Sequence, residues 1–257
     1  MPGARTARLQ GLRAQIAALE AGTRTLAPVL PFGDNRVDDC LTGGGLPLGR
    51  WHELGGEGAE IETAACAAAF TAALARPLAA KGEIVWVLRR DDLFAPGLAG
   101  LGLPPEKLIG VCVRDEAEAL AAIEDALGTV GVAAVIGEVE AVSLVAGRRL
   151  QLACERHGAT GLLIRRRPFG GTQKGSASGS ASATRWKIGP APSEPGPDAP
   201  WLGPPRWRVE LERSRGGRPG GWIMELNEAS DGPHPFRVVS DLADRRLAAE
   251  EPRRLAG

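Results

Sequence analysis

The sequence predicts an α/β fold with a mostly parallel sheet flanked by helices. Between residues 50 and 166, short apolar runs alternate with longer helix-like segments, which is typical of parallel strands connected by helices. After residue 205 the pattern changes to alternating apolar and polar positions around a glycine-rich turn, which predicts an antiparallel hairpin. The 257 residues are 44% hydrophobic and 24% charged, a composition typical of a chain that buries one good-sized core.

The strands of the parallel part are predicted from compact apolar runs. They are expected at Arg50 to Leu54, Glu83 to Arg90, Leu108 to Val113, Val132 to Val139 and Thr160 to Arg166. Three helices are predicted between them. The alanine-rich stretch from Glu60 to Lys81 gives the first, Asp115 caps the second, which runs to Leu127, and Ser143 opens the third, which runs to His157.

Residues 1–30 form a separate N-terminal unit in the prediction. An amphipathic helix is expected over about Thr6 to Ala21, because apolar residues recur there at spacings of three and four. These residues are Leu9, Leu12, Ile16 and Leu19. A proline-containing connection follows, so the apolar stripe suits docking on this chain's own domain or on a partner.

The C-terminal third is predicted to divide into two parts. Residues 169–205 are expected to form a flexible basic and proline-rich loop, because "GGTQKGSASGSASA" lacks large apolar side chains and "GPAPSEPGPDAP" cannot sustain a helix. "TRWKI" (Thr184 to Ile188) is a possible strand within it. Residues 206–257 are expected to form a β-hairpin, from "RWRVELERS" and "WIMELNE", followed by a frayed tail.

The segment after the first predicted strand resembles a phosphate-binding loop but lacks part of its sequence motif. A working loop has the pattern GxxxxGK[ST] between a strand and a helix, where its lysine neutralises phosphates and its hydroxyl holds magnesium. Here "RWHEL" is followed by Gly55, Gly56 and Gly58 and then by a helix. The order of strand, glycine-rich turn and helix is present. Whether the loop can bind phosphate therefore depends on the residues at the positions of the second glycine, the lysine and the hydroxyl.

Neither register of this loop supplies the lysine. Starting from Gly55, the positions of the second glycine, the lysine and the hydroxyl hold Glu60, Ile61 and Glu62. Starting from Gly56, they hold Ile61, Glu62 and Thr63. Carboxylates would repel a nucleotide phosphate by about 1 kcal/mol or more at a few ångströms. We therefore expect no nucleotide cofactor and no ATPase activity.

Other catalytic and metal sites are not indicated. Cys40, Cys66, Cys112 and Cys154 lie far apart without a CxxC pair, which argues against a zinc site and a disulfide framework and favours small buried side chains. The three histidines match no ligand or catalytic spacing. No run approaches about 18 uninterrupted apolar residues. We expect a soluble, cytoplasmic protein with no metal and no membrane contact.

The zero net charge hides an uneven distribution. Between Gly147 and Trp222 there are roughly 14 lysines and arginines against about 5 acids. Such a basic stretch suits contact with a polyanion or an acidic partner, and arginine enrichment can equally reflect a GC-rich genome.

Four segments of the chain form a recognisable series. They are "GGGLPLGRWHELGG" (Gly43 to Gly56), "VLRRDDLFAP" (Val87 to Pro96), "GLPPEKLIGVCVRDEAEALAAIEDAL" (Gly102 to Leu127) and "PRWRVELERSRGGRPGGWIMEL" (Pro205 to Leu226). Together they resemble the ImuA family, a RecA-like and SulA-related group in bacterial mutagenesis cassettes. The resemblance covers about Leu9 to Arg245 and rests on the order and spacing of these segments. It implies a RecA-like core over residues 31–168, with a degenerate phosphate loop.

The resemblance also implies a role in translesion synthesis. ImuA-type proteins accompany ImuB, a homologue of Y-family polymerases, and an error-prone C-family polymerase. The chain would be a non-catalytic accessory protein that binds ImuB in DNA-damage-induced (SOS) mutagenesis. Asp91 and Glu138 would fall near RecA's catalytic and magnesium-linked acids. Without a lysine they have no phosphate to act on, and we expect capping or surface charges at strand ends.

Contact with single-stranded DNA is a further implication, because RecA binds it through the loops after its last parallel strands. The corresponding cations here are Arg165, Arg166, Arg167, Lys174, Arg185 and Lys187. Trp186 would stack on a base. A solvated loop and strand end are the plain alternative.

Two other functions are compatible with the sequence: a residual RecA-type, DNA-dependent ATPase and a SulA-like inhibitor of cell division. For the accessory role, the N-terminal helix and the C-terminal hairpin and tail are the expected contact elements. Removing the first 22 residues or the segment after Pro205 should then abolish ImuB capture and leave the core folded. Contact with a RecA filament is also possible.

Overall fold

A computed structural model describes residues 28–166, 181–195, 203–227 and 233–242, with the backbone alone at residues 60–62. The strands are β1 (Val29–Leu30), β2 (Leu46–Pro47), β3 (Trp51–Gly56), β4 (Glu83–Leu88), β5 (Leu108–Cys112), β6 (Val132–Val139), β7 (Thr160–Arg165), β8 (Thr184–Ala191), β9 (Arg206–Ser214), β10 (Gly220–Leu226) and β11 (Phe236–Asp241). The α-helices are α1 (Asn35–Asp38), α2 (Glu60–Ala75), α3 (Ala95–Gly100), α4 (Glu116–Leu127) and α5 (Leu144–His157). Short 3₁₀ helices follow at Arg76–Ala80 and Pro105–Lys107.

One large sheet organises the described part of the chain. Its strand order is β11-β10-β9-β8-β3-β7-β6-β4-β5. The pairs from β8 to β5 are parallel, and the pairs β8–β9, β9–β10 and β10–β11 are antiparallel. β1 and β2 pair separately. The predicted mixture of helices with a mostly parallel sheet and a C-terminal antiparallel hairpin is therefore confirmed.

The helix starts follow the predicted side-chain caps. The Asp115 carboxylate accepts a hydrogen bond from the Glu118 N–H at 2.9 Å, and the Ser143 hydroxyl accepts one from the Ala146 N–H at 3.1 Å. Each cap satisfies an N–H group that lacks a partner in the first helical turn. Gly158, with φ of 79°, ends α5 in the left-handed conformation that glycine adopts without strain.

The first long helix ends earlier than the sequence suggests. It stops at Ala75 and tightens into the 3₁₀ turn that begins at Arg76, because Pro77 has no N–H to continue the α-helical bonds. By length and composition, Thr63 to Ala80 is apolar enough to cross a membrane, but 61% of that window is buried within the fold. Buried core helices can have the same length and composition, and this one packs on the sheet through β3, β7 and β8.

The sheet separates two hydrophobic layers. On one face, α2 contributes Phe70, which packs among Trp207, Phe236 and other buried aromatic rings. On the other face, α4 and α5 contribute residues such as Ile123 and Leu150, which pack with Trp51 and the valines of the central strands. Burial of both faces explains why the central strands are nearly continuous apolar runs.

The C-terminal hairpin belongs to the main sheet. β9 pairs with β8, so β8, β9 and β10 continue the parallel part without interruption. β8 extends to Ala191, beyond the predicted end at Ile188. The predicted start of the proline-rich linker at Gly189 is therefore wrong. Pro190 is tolerated because β3 ends opposite Ile188 and leaves β8 with one neighbour there. β11 was not predicted.

Several predicted features lie outside the described residues. These include the apolar stripe Leu9, Leu12, Ile16 and Leu19, the cations Arg167 and Lys174, and the tail after Leu242. All four cysteines are free thiols, and Cys112 is exposed on β5, in contrast to the burial expected for it.

Candidate functional site

The loop after β3 is short and tightly packed. Three residues, 57–59, separate β3 from α2. Gly58 has a φ of 88°, which favours glycine, while a Cβ on Gly56 would lie 2.4 Å from the Thr63 hydroxyl oxygen. Thr63 is buried and donates its hydroxyl to the Ala59 carbonyl at 3.0 Å. The one hydroxyl that matches the phosphate-loop pattern is therefore bound within the first turn of α2.

Glu57 fixes this loop to the neighbouring strands. Its N–H donates to the Ile188 carbonyl at 2.7 Å, and its carboxylate accepts from Arg208 at 3.0 Å and lies 3.9 Å from the Lys187 ammonium. A phosphate loop needs N–H groups that point at its ligand. The Glu57 N–H instead extends the bonding between β3 and β8, an arrangement that sequence analysis did not identify. Gly55 is the second-to-last residue of β3 and lies opposite Lys187.

The side chains of Glu60, Ile61 and Glu62 are not described. Their backbone forms the first turn of α2, as predicted. The helix begins after Ala59, which provides no side-chain cap. No lysine or arginine occupies residues 55–63, so the loop segment itself supplies no cation to this helix start.

Glu53, in the middle of β3, binds two arginines from different strands. Its carboxylate accepts from Arg165 at 2.6 Å and from Arg185 at 3.2 Å, and only 4% of its side chain is exposed. Arg185 lies directly across from Glu53 in the β3–β8 register, and Arg165 ends β7 on the other side. A buried carboxylate requires such partners, because its unpaired charge would be very costly away from water. Sequence analysis did not identify Glu53 as a site residue.

A second buried carboxylate, Glu138, lies near the end of β6. It accepts from Arg166 at 2.7 Å and from the Trp86 indole N–H at 3.2 Å. Burial raises the pKa of Glu138 above its usual value, and the Arg166 charge opposes that increase. The expectation of a surface or capping charge is wrong for Glu138, since its exposed fraction is 4%.

The second acid of this cluster is Asp92, one residue after the predicted Asp91. Asp92 accepts from both terminal nitrogens of Arg166, at 3.2 and 3.0 Å. The hydrogen bond from Arg166 holds the pKa of Asp92 below its usual value. Asp91 is exposed. The carboxylates near the ends of β4 and β6 are thus bridged by a protein cation.

A cleft of about 170 Å³ opens beside this bridge. Its lining is Arg89, Arg90, Arg114, Glu138, Val139, Glu140 and Arg166. Ligands of open parallel sheets often bind beyond the carboxyl ends of the strands, which is where this cleft lies. Here Arg89 binds Glu116 at 3.1 Å and Glu140 at 2.7 Å. Charged side chains that line the cleft are thus already paired with other side chains of the protein. Within the described residues, no cluster of His, Cys, Asp or Glu could hold a metal ion.

The predicted DNA-contact residues that the structure describes do not form one open surface. Arg165, Arg166 and Arg185 bind the buried carboxylates described above. Lys187 is 38% exposed and lies 3.7 Å from Glu210. Trp186 is 1% exposed, and its ring lies 5.6 Å from that of Phe32. A buried ring offers no face to a base, so the stacking role predicted for Trp186 is wrong.

His52 completes the buried polar groups near the centre of the sheet. Its Nε2–H donates to the Pro47 carbonyl at 2.8 Å, because a carbonyl only accepts. Its Nδ1 therefore accepts from the Thr184 hydroxyl at 2.7 Å, and that hydroxyl accepts from the Trp186 indole at 2.6 Å. Burial lowers the pKa of His52 to about 4, so the ring is neutral near pH 7. The role of this chain of bonds is structural.

Comparison with known proteins identifies close relatives. No family model matches the chain. The curated Protein ImuA of Caulobacter vibrioides, recorded in two strains, is 60% identical over 244 residues, which is 93% of this chain and 100% of the relative. A solved structure of SulA from Pseudomonas aeruginosa is 24% identical, covering 45% of this chain and 96% of SulA, with a TM-score of 0.39. That score is too low to support an argument about fold or function. The identity and coverage of the curated relatives show that the chain belongs to the ImuA family.

Proposed function

We propose that this chain is a non-catalytic accessory protein of DNA-damage-induced mutagenesis. It binds an ImuB-type homologue of Y-family polymerases and supports an error-prone C-family polymerase in translesion synthesis in the cytoplasm. Membership of the ImuA family supports a role in DNA-damage mutagenesis, because the curated relatives carry the name ImuA. The fold that we propose is RecA-like. It has a strand–turn–helix unit at the centre of a mostly parallel sheet.

The observation that carries the non-catalytic assignment is the state of the turn after β3. The Glu57 N–H binds the Ile188 carbonyl, the Thr63 hydroxyl binds the Ala59 carbonyl, and no cation is present between residues 55 and 63. Phosphoryl transfer depends on positioning and on neutralising the charge of the phosphates. A turn that lacks the phosphate-loop lysine and has these donors engaged provides little of either, and the nearby Arg208 and Lys187 are directed to Glu57.

The bridge between Glu138 and Asp92 supports the same assignment. In a working nucleotide site, acids near the ends of the strands hold magnesium or position water. Here Arg166 lies between them and already offsets part of their negative charge. A metal ion would have to displace a guanidinium that makes three hydrogen bonds to these carboxylates, and would leave that cation with fewer partners.

Nucleotide titration tests this proposal. Purified protein is titrated with a fluorescent ATP analogue and Mg²⁺, and phosphate release is followed with and without single-stranded DNA. We expect no saturable binding up to millimolar nucleotide and no turnover. Binding with turnover would instead establish the residual ATPase. Capture of purified ImuB-type protein by the immobilised chain tests the accessory role, and absence of capture would contradict it.

We also propose contact between the basic stretch and single-stranded DNA, which the structure supports less than it supports the accessory role. Arg165, Arg166 and Arg185 would have to leave buried carboxylates to bind phosphate, a loss that weakens any such interaction. Lys187 is the most exposed of the described candidates. We therefore expect weak, salt-dependent binding at most.

A further inference from the structure

The outer face of α5 combines exposed apolar side chains with exposed arginines. Val145 is 74% exposed, Leu144 63% and Leu152 53%. They are three of the seven large apolar side chains that are exposed among the described residues. Single exposed apolar residues need no explanation, but a helix face with three of them indicates a contact surface.

Helical geometry places Val145 and Leu152 on one line along the helix surface. Val145 and Leu152 are seven residues apart, so they lie on the same side of the helix about 10 Å from each other. The opposite side of α5 is fully used, since Gly147, Leu150 and Cys154 are buried against the sheet. The fold therefore packs α5 through that side and leaves this second apolar line facing outward.

Cations flank the apolar line. Arg148 and Arg156 are exposed, and within the described part of the chain neither forms an ion pair. Arg149 is 63% exposed and bridges to Glu124 on α4. Glu155, the acid of this helix, is engaged by Arg50 and Gln151. The field around Val145 and Leu152 is consequently positive.

The chain's own terminal segments do not match this charge. Residues 1–27 contain four arginines and one glutamate, and residues 243–257 contain four arginines and three acids. Neither is acidic, so charge complementarity favours a separate partner.

We propose that the outer face of α5, defined by Leu144, Val145, Arg148, Leu152 and Arg156, docks an acidic amphipathic helix of a partner protein. Two apolar residues of that helix, about two turns apart, would pack on Val145 and Leu152, and its flanking carboxylates would pair with the arginines. The inference rests on the proposed accessory role, and it locates partner contact on a helix of the core and not on the N-terminal segment or the C-terminal hairpin.

A designed peptide tests the surface directly. The probe is a labelled 16-residue helical peptide with two leucines seven positions apart, flanked by glutamates, and its binding to the full chain is followed by fluorescence anisotropy. We expect saturable binding that weakens at least tenfold in the Val145→Asp, Leu152→Asp double variant. Phe94→Asp is the matched control, because Phe94 is 73% exposed but lies before α3. It should leave binding unchanged.

A charge swap separates specific docking from general stickiness. The Arg148→Glu, Arg156→Glu variant should lose the glutamate peptide and gain a version with lysines at the same positions. Equal binding of both peptides by both proteins, or no saturable binding of the glutamate peptide, would overturn the inference. So would a preference of the wild-type face for vesicles of phosphatidylglycerol and phosphatidylcholine over the peptide, since a basic apolar helix face also suits an anionic membrane.

Capture of the ImuB-type protein distinguishes the inference from the proposed function. Capture by the wild type and by Phe94→Asp, with loss in the Val145→Asp, Leu152→Asp variant, supports both. Equal capture by all three proteins overturns the α5 assignment and leaves the accessory role intact. If the wild type binds the peptide but captures no ImuB-type protein, the accessory role fails and the surface stands.

Discussion

Arg166 bridges Glu138 and Asp92, with its two terminal nitrogens 2.7 to 3.2 Å from their carboxylate oxygens, at the edge of the sheet where parallel strands usually present ligand-binding groups. The guanidinium takes the central position among these acids. The cluster is therefore held together by the protein's own charges, and its contribution to stability can be measured.

Loss of the Glu138 partner should destabilise the fold. Replacing Arg166 by alanine leaves Glu138 buried without its cation, and breaking a buried pair in this way typically costs about 3 kcal/mol. Urea unfolding of Arg166→Ala should show a clearly lower midpoint. Arg114→Ala removes one partner of the exposed Arg114–Glu118 pair and should leave the midpoint unchanged. Equal midpoints for all three proteins would contradict the structural role of the bridge.

His52 should make stability fall as the solution becomes acidic. Its folded pKa of about 4 lies below the usual 6.5, so between these values the unfolded chain binds a proton that the folded chain excludes. The contribution of neutral His52 to the free energy of unfolding is therefore fully present above pH 6.5. It decreases as the pH falls to 4, by about 3 kcal/mol in total. Urea midpoints from pH 4 to 8 measure this. His52→Gln should flatten this part of the profile, and an unchanged slope would show that other groups cause it.

The close approach of Gly56 to Thr63 should appear as coupling in a double-mutant cycle. Gly56→Ala introduces a methyl group against the Thr63 hydroxyl and should cost about 1 to 3 kcal/mol. Thr63→Ala removes that hydroxyl, so the double variant should recover part of the loss. Strictly additive free energies of unfolding would mean that the loop relaxes elsewhere.

Truncation after Pro205 should unfold the protein, contrary to the sequence-based expectation of a stable core. The deletion removes β9 to β11 and with them Trp207, Val209 and Trp222, which are buried in the main hydrophobic layer. The truncated chain should be insoluble or lack a cooperative thermal transition. Truncation after Leu242 keeps every described strand and serves as the control. A soluble, cooperatively folded product ending at Pro205 would show that β8 can form the edge of a stable sheet.

Lys187 offers a test of DNA contact that spares the buried pairs. Lys187→Ala should preserve the urea midpoint, because the side chain is 38% exposed and the carboxylates nearest its ammonium lie 3.7 and 3.9 Å away. If the basic stretch binds single-stranded DNA, this change should weaken binding a few-fold at low salt and reduce its salt dependence. Identical isotherms for both proteins would remove Lys187 from the proposed contact.

Local patterns were sufficient to predict most elements of the fold. The apolar run from Val132 to Val139 forms β6 with the predicted bounds, and Asp115 and Ser143 cap the predicted helices. These features depend on neighbouring residues along the chain. β11 escaped prediction although Phe236 and Val238 alternate with exposed Arg237 and Val239, because one short alternation after a proline resembles a tail.

The candidate site was less predictable, because its contacts join distant segments. Glu53 and Arg185 are 132 residues apart in sequence and become neighbours only through the β3–β8 register. Asp91 and Asp92 are adjacent acids, and the turn after β4 decides which of them meets Arg166. Sequence patterns identify residue types near strand ends, whereas partner identity depends on strand order.

The position of β3 between β7 and β8 has a consequence for synthesis of the chain. Glu53 and Arg165 are separated by 112 residues, so after β3 leaves the ribosome roughly 6 to 22 s pass before its first sheet neighbour is made. During that interval a central strand that is buried in the folded protein lacks both its partners, and folding through such long-range pairs is slow. Nascent chains of this protein should therefore depend on chaperones until β8 emerges.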